Sequence, residues 1–285
     1  MLAIFYSGQS TPGKAVHSTL QPLRRIVASA CQLLYWAIIL IGFLTATALP
    51  AISADTNVFA ARAAKIYHEA KDRLAAHPAD DEAAWQLGRA CYDWADFATS
   101  SRQREQIAKE GIAACRQLVE RNPSSALGYY YLAMDSGQLA RTESLGALKL
   151  VTQMEIDFKT ALRLDPKLDY AGPERNLGLL YHQAPGWPLS LGSRTKARQY
   201  LQAALTRAPH YPENILNLAE AEMEWNEKAN VQRHLRMLDD LWPTAKTKFT
   251  GEAWASSWVD WTDRRDDLRK KLTAAPKDSR RGGAE

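Results

Sequence analysis

The chain has 285 residues, of which 46% are hydrophobic. That is ample for a core and excludes bulk disorder; at roughly 100–200 residues per domain it allows one large domain or two ordinary ones. Lys14, Arg24 and Arg25 are the only charges before Asp55, so the remaining 33 basic residues face 32 acidic ones, and no basic stripe supports a nucleic-acid role.

In chain order, Arg24-Arg25 precede an uncharged run from Ile26 to Ile52, densest over Leu33–Leu44, with small residues at Ala46-Thr47-Ala48 and Ala51–Ala54. This is the pattern of an export signal over residues 1–54. Uncut, the run is long enough to remain as a membrane anchor with its amino end inside. Either way the expected location is the periplasm or cell envelope. Cys31 precedes the densest apolar run, which argues against lipidation. The residues before Arg24 read as a disordered extension or as a start placed too early.

Asn57 to Ala76 reads as the first helix, with an apolar stripe through Val58, Ala61, Ala64, Tyr67 and Leu74, stopped by His77-Pro78. One pattern then recurs: a leucine and a small residue on a first helix, and a proline closing the second. The pairs are Leu87-Gly88 with Asn122-Pro123, Leu132-Ala133 with Asp165-Pro166, Leu177-Gly178 with Ala208-Pro209, and Leu218-Ala219 with Trp242-Pro243. The small residue lets the second helix approach, large residues such as Leu118, Phe158 and Leu201 fill the interface, and the proline turns the chain into the next unit. A single pair cannot bury its apolar faces, so the pairs must stack. The expected fold is therefore all-α: a tetratricopeptide-like stack of antiparallel helix pairs, an α-solenoid over residues 55–272, with a tail over 273–285.

The first three units carry extra residues between their helices, at Asp93–Glu105, Gly137–Ala147 and Gln183–Arg194. The third is set apart by Ala184-Pro185-Gly186-Trp187-Pro188-Leu189, which reads either as a brace, with Trp187 packed under a neighbouring unit, or as an edge that contacts a partner. Thr250 to Leu272 places Trp254, Trp258, Trp261, Leu268 and Leu272 on one helical face, with mostly charged residues on the others. It reads as a helix capping the open end of the stack, or as a tryptophan-lined ligand wall.

Chemistry is sparse. The six histidines form no HExxH and no metal-ligand spacing, and no phosphate loop or GxSxG elbow occurs. Glu220, Glu222, Glu224 and Glu227 read as a solvated helix face rather than a paired-carboxylate centre. No enzyme, metal or cofactor is expected. Cys91 and Cys115 lie on consecutive helices of one repeat, placed either to pair in an oxidising compartment or to serve as small buried hydrophobes.

A binding groove is expected along the first helices. The residues beside the packing pattern are Trp85, Arg89 and Tyr92; Tyr130 and Met134; Arg175, Leu179 and His182, with Trp187 beyond; and Leu216, Glu220 and Met223. Each either faces the groove or packs between helices. Aromatics, methionines and two arginines suit an apolar ligand or a peptide bearing an acidic group.

The run Ala126–Ala133, the Leu145–Pro166 helix with its Ala-Leu-Arg-Leu-Asp-Pro end, and above all Gly172-Pro173-Glu174-Arg175-Asn176-Leu177-Gly178 leading to Ala184-Pro185-Gly186-Trp187-Pro188 resemble the T-component of tripartite ATP-independent periplasmic (TRAP) transporters. The resemblance covers about Ala60 to Trp242. It implies a non-enzymatic periplasmic partner of a substrate-binding protein, either single or a homo-oligomer, that helps deliver organic acids or apolar ligands. Members are often lipoproteins, and this sequence lacks a lipid-attachment site. The alternative is an envelope scaffold for protein–protein contacts with no small-molecule ligand.

Overall fold

The computed structural model describes residues 54–143 and 146–273. The expected leader before Ala54 and the expected tail after Thr273 lie outside them. Among the described residues there are ten α-helices, a 3-10 turn and no strand; none of these helices is long and apolar enough to cross a membrane.

Helix α1 (Ala54–Ala76) precedes four pairs: α2 (Asp81–Ala95) with α3 (Ser101–Arg121), α4 (Ala126–Ala140) with α5 (Ala147–Leu164), α6 (Gly172–Gln183) with α7 (Arg194–Arg207), and α8 (Pro212–Glu224) with α9 (Lys228–Lys248). Helix α10 (Ala255–Thr273) follows. The starts of α2, α3, α4 and α7 are set by Asp80, Ser100, Ser125 and Ser193, whose side chains each accept from a backbone N–H of the first turn. The expected stack is thus the observed fold.

Packing follows the small-to-large logic. A Cβ at Gly178 would lie 2.6 Å from Leu201 Cγ, and one at Gly88 would lie 2.3 Å from Cys115 Sγ, so glycine is what lets these helices touch. Leu118, Phe158 and Leu201 are buried as expected. Helix α4 is the most enclosed element, with every residue from Tyr130 to Ala140 buried. It packs against α2, α3 and α5. Cys91 and Cys115 are buried free thiols on facing helices, unpaired in this structure.

Several boundaries differ from expectation. Much of the first supposed insertion and part of the second is helix, since α2 runs on to Ala95, α3 begins at Ser101 and α4 runs on to Ala140. Only the third is a long loop. There Gly192 N–H donates to Pro185 O at 2.9 Å and Ser193 N–H to Tyr181 O at 2.8 Å. A Cβ at Gly192 would meet Ala184 O at 2.1 Å, so the loop closes on itself only with glycine at that position. Trp187, 88% exposed, braces nothing. Pro243 does not end the fourth pair; α9 continues through it to Lys248.

Helix α10 packs on α8 and α9. Trp261 and Leu268 are fully buried, while Trp254, Trp258 and Leu272 are partly so, in one cluster with Tyr211, Phe249 and Ile215. The cap reading therefore holds, and the tryptophans form a packed wall rather than an open one. Glu222 is fully buried against His234 Nδ1 at 2.6 Å, so it leaves the solvated face expected for Glu220–Glu227, while Glu224 is exposed.

Candidate functional site

The first helices α2, α4, α6 and α8 share a face where charge concentrates. Arg89 is exposed there and reaches Asp93 at a loose 3.8 Å. Trp85 stacks on Tyr131, ring centroids 6.1 Å apart and nearly parallel. Tyr92 is half-buried beside them, and Gln138 Nε2 donates to its backbone carbonyl at 3.3 Å and to Asp96 Oδ1 at 2.9 Å. Arg141 donates to the same Asp96 oxygen at 2.9 Å.

The next part is set by an unusual turn. Asp169, Tyr170 and Ala171 take left-handed φ values of 46°, 54° and 66°, a conformation costly for residues with a Cβ. What holds it is visible. Tyr130 OH donates to Asp169 Oδ2 at 2.7 Å, and Arg175 donates to Asp169 O at 3.1 Å, to the Asp169 carboxylate and to Asn214 Oδ1 at 3.2 Å. Asn214 Nδ2 donates to Tyr170 O at 3.0 Å. Tyr170 stacks on Tyr211, and the Arg175 guanidinium lies over the Tyr211 ring. The strain thus directs one carboxylate onto a buried arginine.

At the end of this face Arg264 of the cap donates to Glu220 at 2.8 and 2.7 Å, to Asp260 at 3.0 Å, to Glu213 at 3.3 Å and to Asn217. Trp261 Nε1 donates to Glu213 Oε2 at 3.1 Å. Burial pushes the Glu213 carboxyl up, but Arg264 and Arg175 outweigh it and hold the group below the usual range. Asp260 goes the other way, raised to about 6 by burial that Arg264 only partly offsets. Asp93 and Asp96 are exposed beside Arg89 and Arg141.

The groove expected from sequence is divided by this arrangement. Trp85, Arg89, Tyr92, Leu179, His182, Glu220 and Met223 keep exposed surface. His182 Nε2 lies 3.1 Å from Glu224 Oε2 with its ring edge-on to Trp225. Tyr130, Met134, Arg175 and Leu216 are interior. Sequence reasoning missed Asp93, Asp96, Asp169, Glu213, Asp260 and Arg264. The first two fall in an expected insertion, and Arg264 lies in the charged run of the cap helix. Six carboxylates here, those of Asp93, Asp96, Asp169, Glu213, Glu220 and Asp260, meet the guanidiniums of Arg89, Arg141, Arg175 and Arg264, each in an ion pair, and that of Arg104, which also acts on Asp96. The face is therefore net acidic and suits a basic occupant, the reverse of the acidic ligand that two unpaired arginines would favour. No cluster of three His, Cys, Asp or Glu side chains suited to a metal occurs among the described residues.

Residues 53–171 match the family described as regulator of microtubule dynamics protein 1-3, a stretch shorter than half of the chain. No curated protein matches it. Among solved structures the chain is similar to a thermophilic TPR protein of Thermus thermophilus, with 21% identity and a TM-score of 0.52, over 74% of this chain and 92% of that one. That likeness bears on the fold, which is of the TPR type.

Proposed function

We propose that this chain is an exported, non-enzymatic docking module that lays an extended, basic segment of a partner protein along its acidic first-helix face. The carrying observation is the surplus of carboxylates there, with every arginine already engaged. Trp85 and Tyr92 supply aromatic contact area beside them, Trp85 being held by its stacking on the buried Tyr131. Helix-pair stacks use such extended faces for binding. The interior packing of Tyr130, Met134, Arg175 and Leu216 favours a protein segment on the face over a small organic acid held within it. Export rests on Arg24-Arg25 and the uncharged run that follows.

The finer proposal is that the partner is the substrate-binding protein of a TRAP transporter. Its support is the Gly172–Gly178 and Ala184–Pro188 stretches, which lie beyond the region matched by the microtubule-regulator family. The test is crosslinking capture from envelope extract with wild type and an Asp93→Lys/Asp96→Lys variant. Wild type is expected to capture a substrate-binding protein and the charge-reversed variant to lose it at least tenfold. Equal capture by both would overturn the acidic-face reading, and capture of other proteins alone would overturn the transporter reading.

A further inference from the structure

A second surface is built for an occupant, and it is made of different residues. Helices α3 and α5 form the walls of a cleft of about 830 Å³ whose floor is α4. From Lys109 to Glu120 on one wall, and from Gly146, the cap of α5, to Asp157 on the other, the lining residues recur at the same spacings of three, four, seven and eleven residues. Each wall is thus one unbroken helical stripe, about 16 Å long at 1.5 Å per residue. Ile112, Leu132, Leu139 and Leu150 make the trough apolar.

Two kinds of polar group in this trough lack a close partner. Among the described residues neither Arg116 on one wall nor Lys149 on the other has an ion-pair partner within 4 Å or a side-chain hydrogen bond, and both are exposed, although Arg116 acts on Asp157 at longer range and Glu120 and Glu143 line the same trough. Asp157 is only 2% exposed; its Oδ1 accepts from Gln153 Nε2 at 3.1 Å, and its Oδ2 has no donor at all. A buried acceptor without a donor is expensive, so an occupant that supplies one gains more than a surface hydrogen bond would give.

We propose that this trough docks an amphipathic helix of a partner protein, about three turns long, with apolar side chains inward, acidic side chains facing Arg116 and Lys149, and one hydrogen-bond donor reaching Asp157. The trough is open to solvent. A lipid chain laid in it would leave apolar surface wet, whereas small-molecule sites bury most of their ligand. An amphipathic helix turns a polar back to the solvent, and a helix between two helices is an established recognition mode. The proposal stands apart from the acidic face, which shares none of these residues.

The test uses peptides of about 18 residues selected from a random displayed library against the full chain, then labelled with fluorescein for anisotropy titration. The expected winners carry apolar residues at i, i+3 or i+4 and i+7 with Asp or Glu flanking them. Binding should weaken at least tenfold in Leu150→Glu and in Arg116→Glu/Lys149→Glu. The latter substitutions are on exposed side chains, so the fold should stand, and this variant should now prefer the winning peptide with its acidic flanks changed to lysine. Three outcomes would overturn the proposal: no enriched peptide, winners without helical spacing, or winners bound equally by both variants. Dodecanoate binding without any peptide binding would make the trough an amphiphile site instead, and a concentration-dependent dimer abolished by the same variants would make it a self-interface. Asp93→Lys/Asp96→Lys should leave peptide affinity unchanged, so the fate of the acidic face is read separately.

Discussion

Asp135, on the most enclosed helix, has no hydrogen-bond partner on either carboxyl oxygen and no exposed surface. It sits where residue 111 is glycine: a Cβ there would come within 2.2 Å of its Oδ2. Burial, reinforced by Asp93, holds its pKa well above the usual carboxylate range. The unfolded chain releases the same proton near pH 3.9. Because the raised pKa belongs to the fold, the group carries no penalty below about pH 4. Above that, stability falls by about 1.4 kcal/mol per pH unit until the folded carboxyl ionises too. Asp157, raised to about 6 by burial, adds a loss over about pH 4–6. Urea unfolding should therefore show wild type losing stability from pH 4 to pH 6, and Asp135→Asn should lose distinctly less. An identical slope in the variant would mean that Asp135 is ionised in the fold, contrary to its surroundings.

Helix α10 shows how an element can be legible in outline and opaque in its chemistry. The tryptophan spacing reveals a cap, because burial of large side chains at helical period leaves a trace in one sequence. The role of Arg264 leaves none: it lies among Asp263, Arg265, Asp266 and Asp267 in a run that reads as solvated, and its partners Glu213 and Glu220 are more than forty residues away. The same limit hid Asp169, whose place depends on three left-handed residues that no glycine or asparagine announces. Repeat packing was readable because it is periodic; the acidic face was not, since it joins single residues from separate units. Removing the guanidinium should expose this dependence. Arg264→Met leaves Glu220 and Asp260 without their cation and Glu213 with Arg175 alone, and loss of one partner of a buried ion pair costs about 3–5 kcal/mol. In the variant, burial without Arg264 should lift the Glu213 pKa, so part of the loss should return near pH 4 as the carboxyls protonate. A thermal melt followed by tryptophan fluorescence at pH 7 and pH 4 would check both parts; an equal deficit at the two pH values would count against the charge explanation.

For the whole molecule, stacking makes stability a sum over neighbouring units. One contact runs against that locality: Arg62 of α1 donates to Glu252 O and lies 3.4 Å from its carboxylate, so the first described helix touches the segment leading into the cap. Both groups keep solvent exposure, and such a pair adds little energy. The units are therefore expected to retain separate opening equilibria rather than melt as one body. The two buried thiols turn that into something measurable. Cys91 and Cys115 sit on the facing helices of the first pair, with burial holding both thiol pKa values far above the ordinary range. Neither is a useful nucleophile until the pair comes apart, and separation of α2 from α3 frees both at once. Alkylation with iodoacetamide in native buffer should consequently proceed at one common slow rate for the two sites, giving a stopwatch for the opening of this pair alone. Markedly different rates would show that one helix frays without the other.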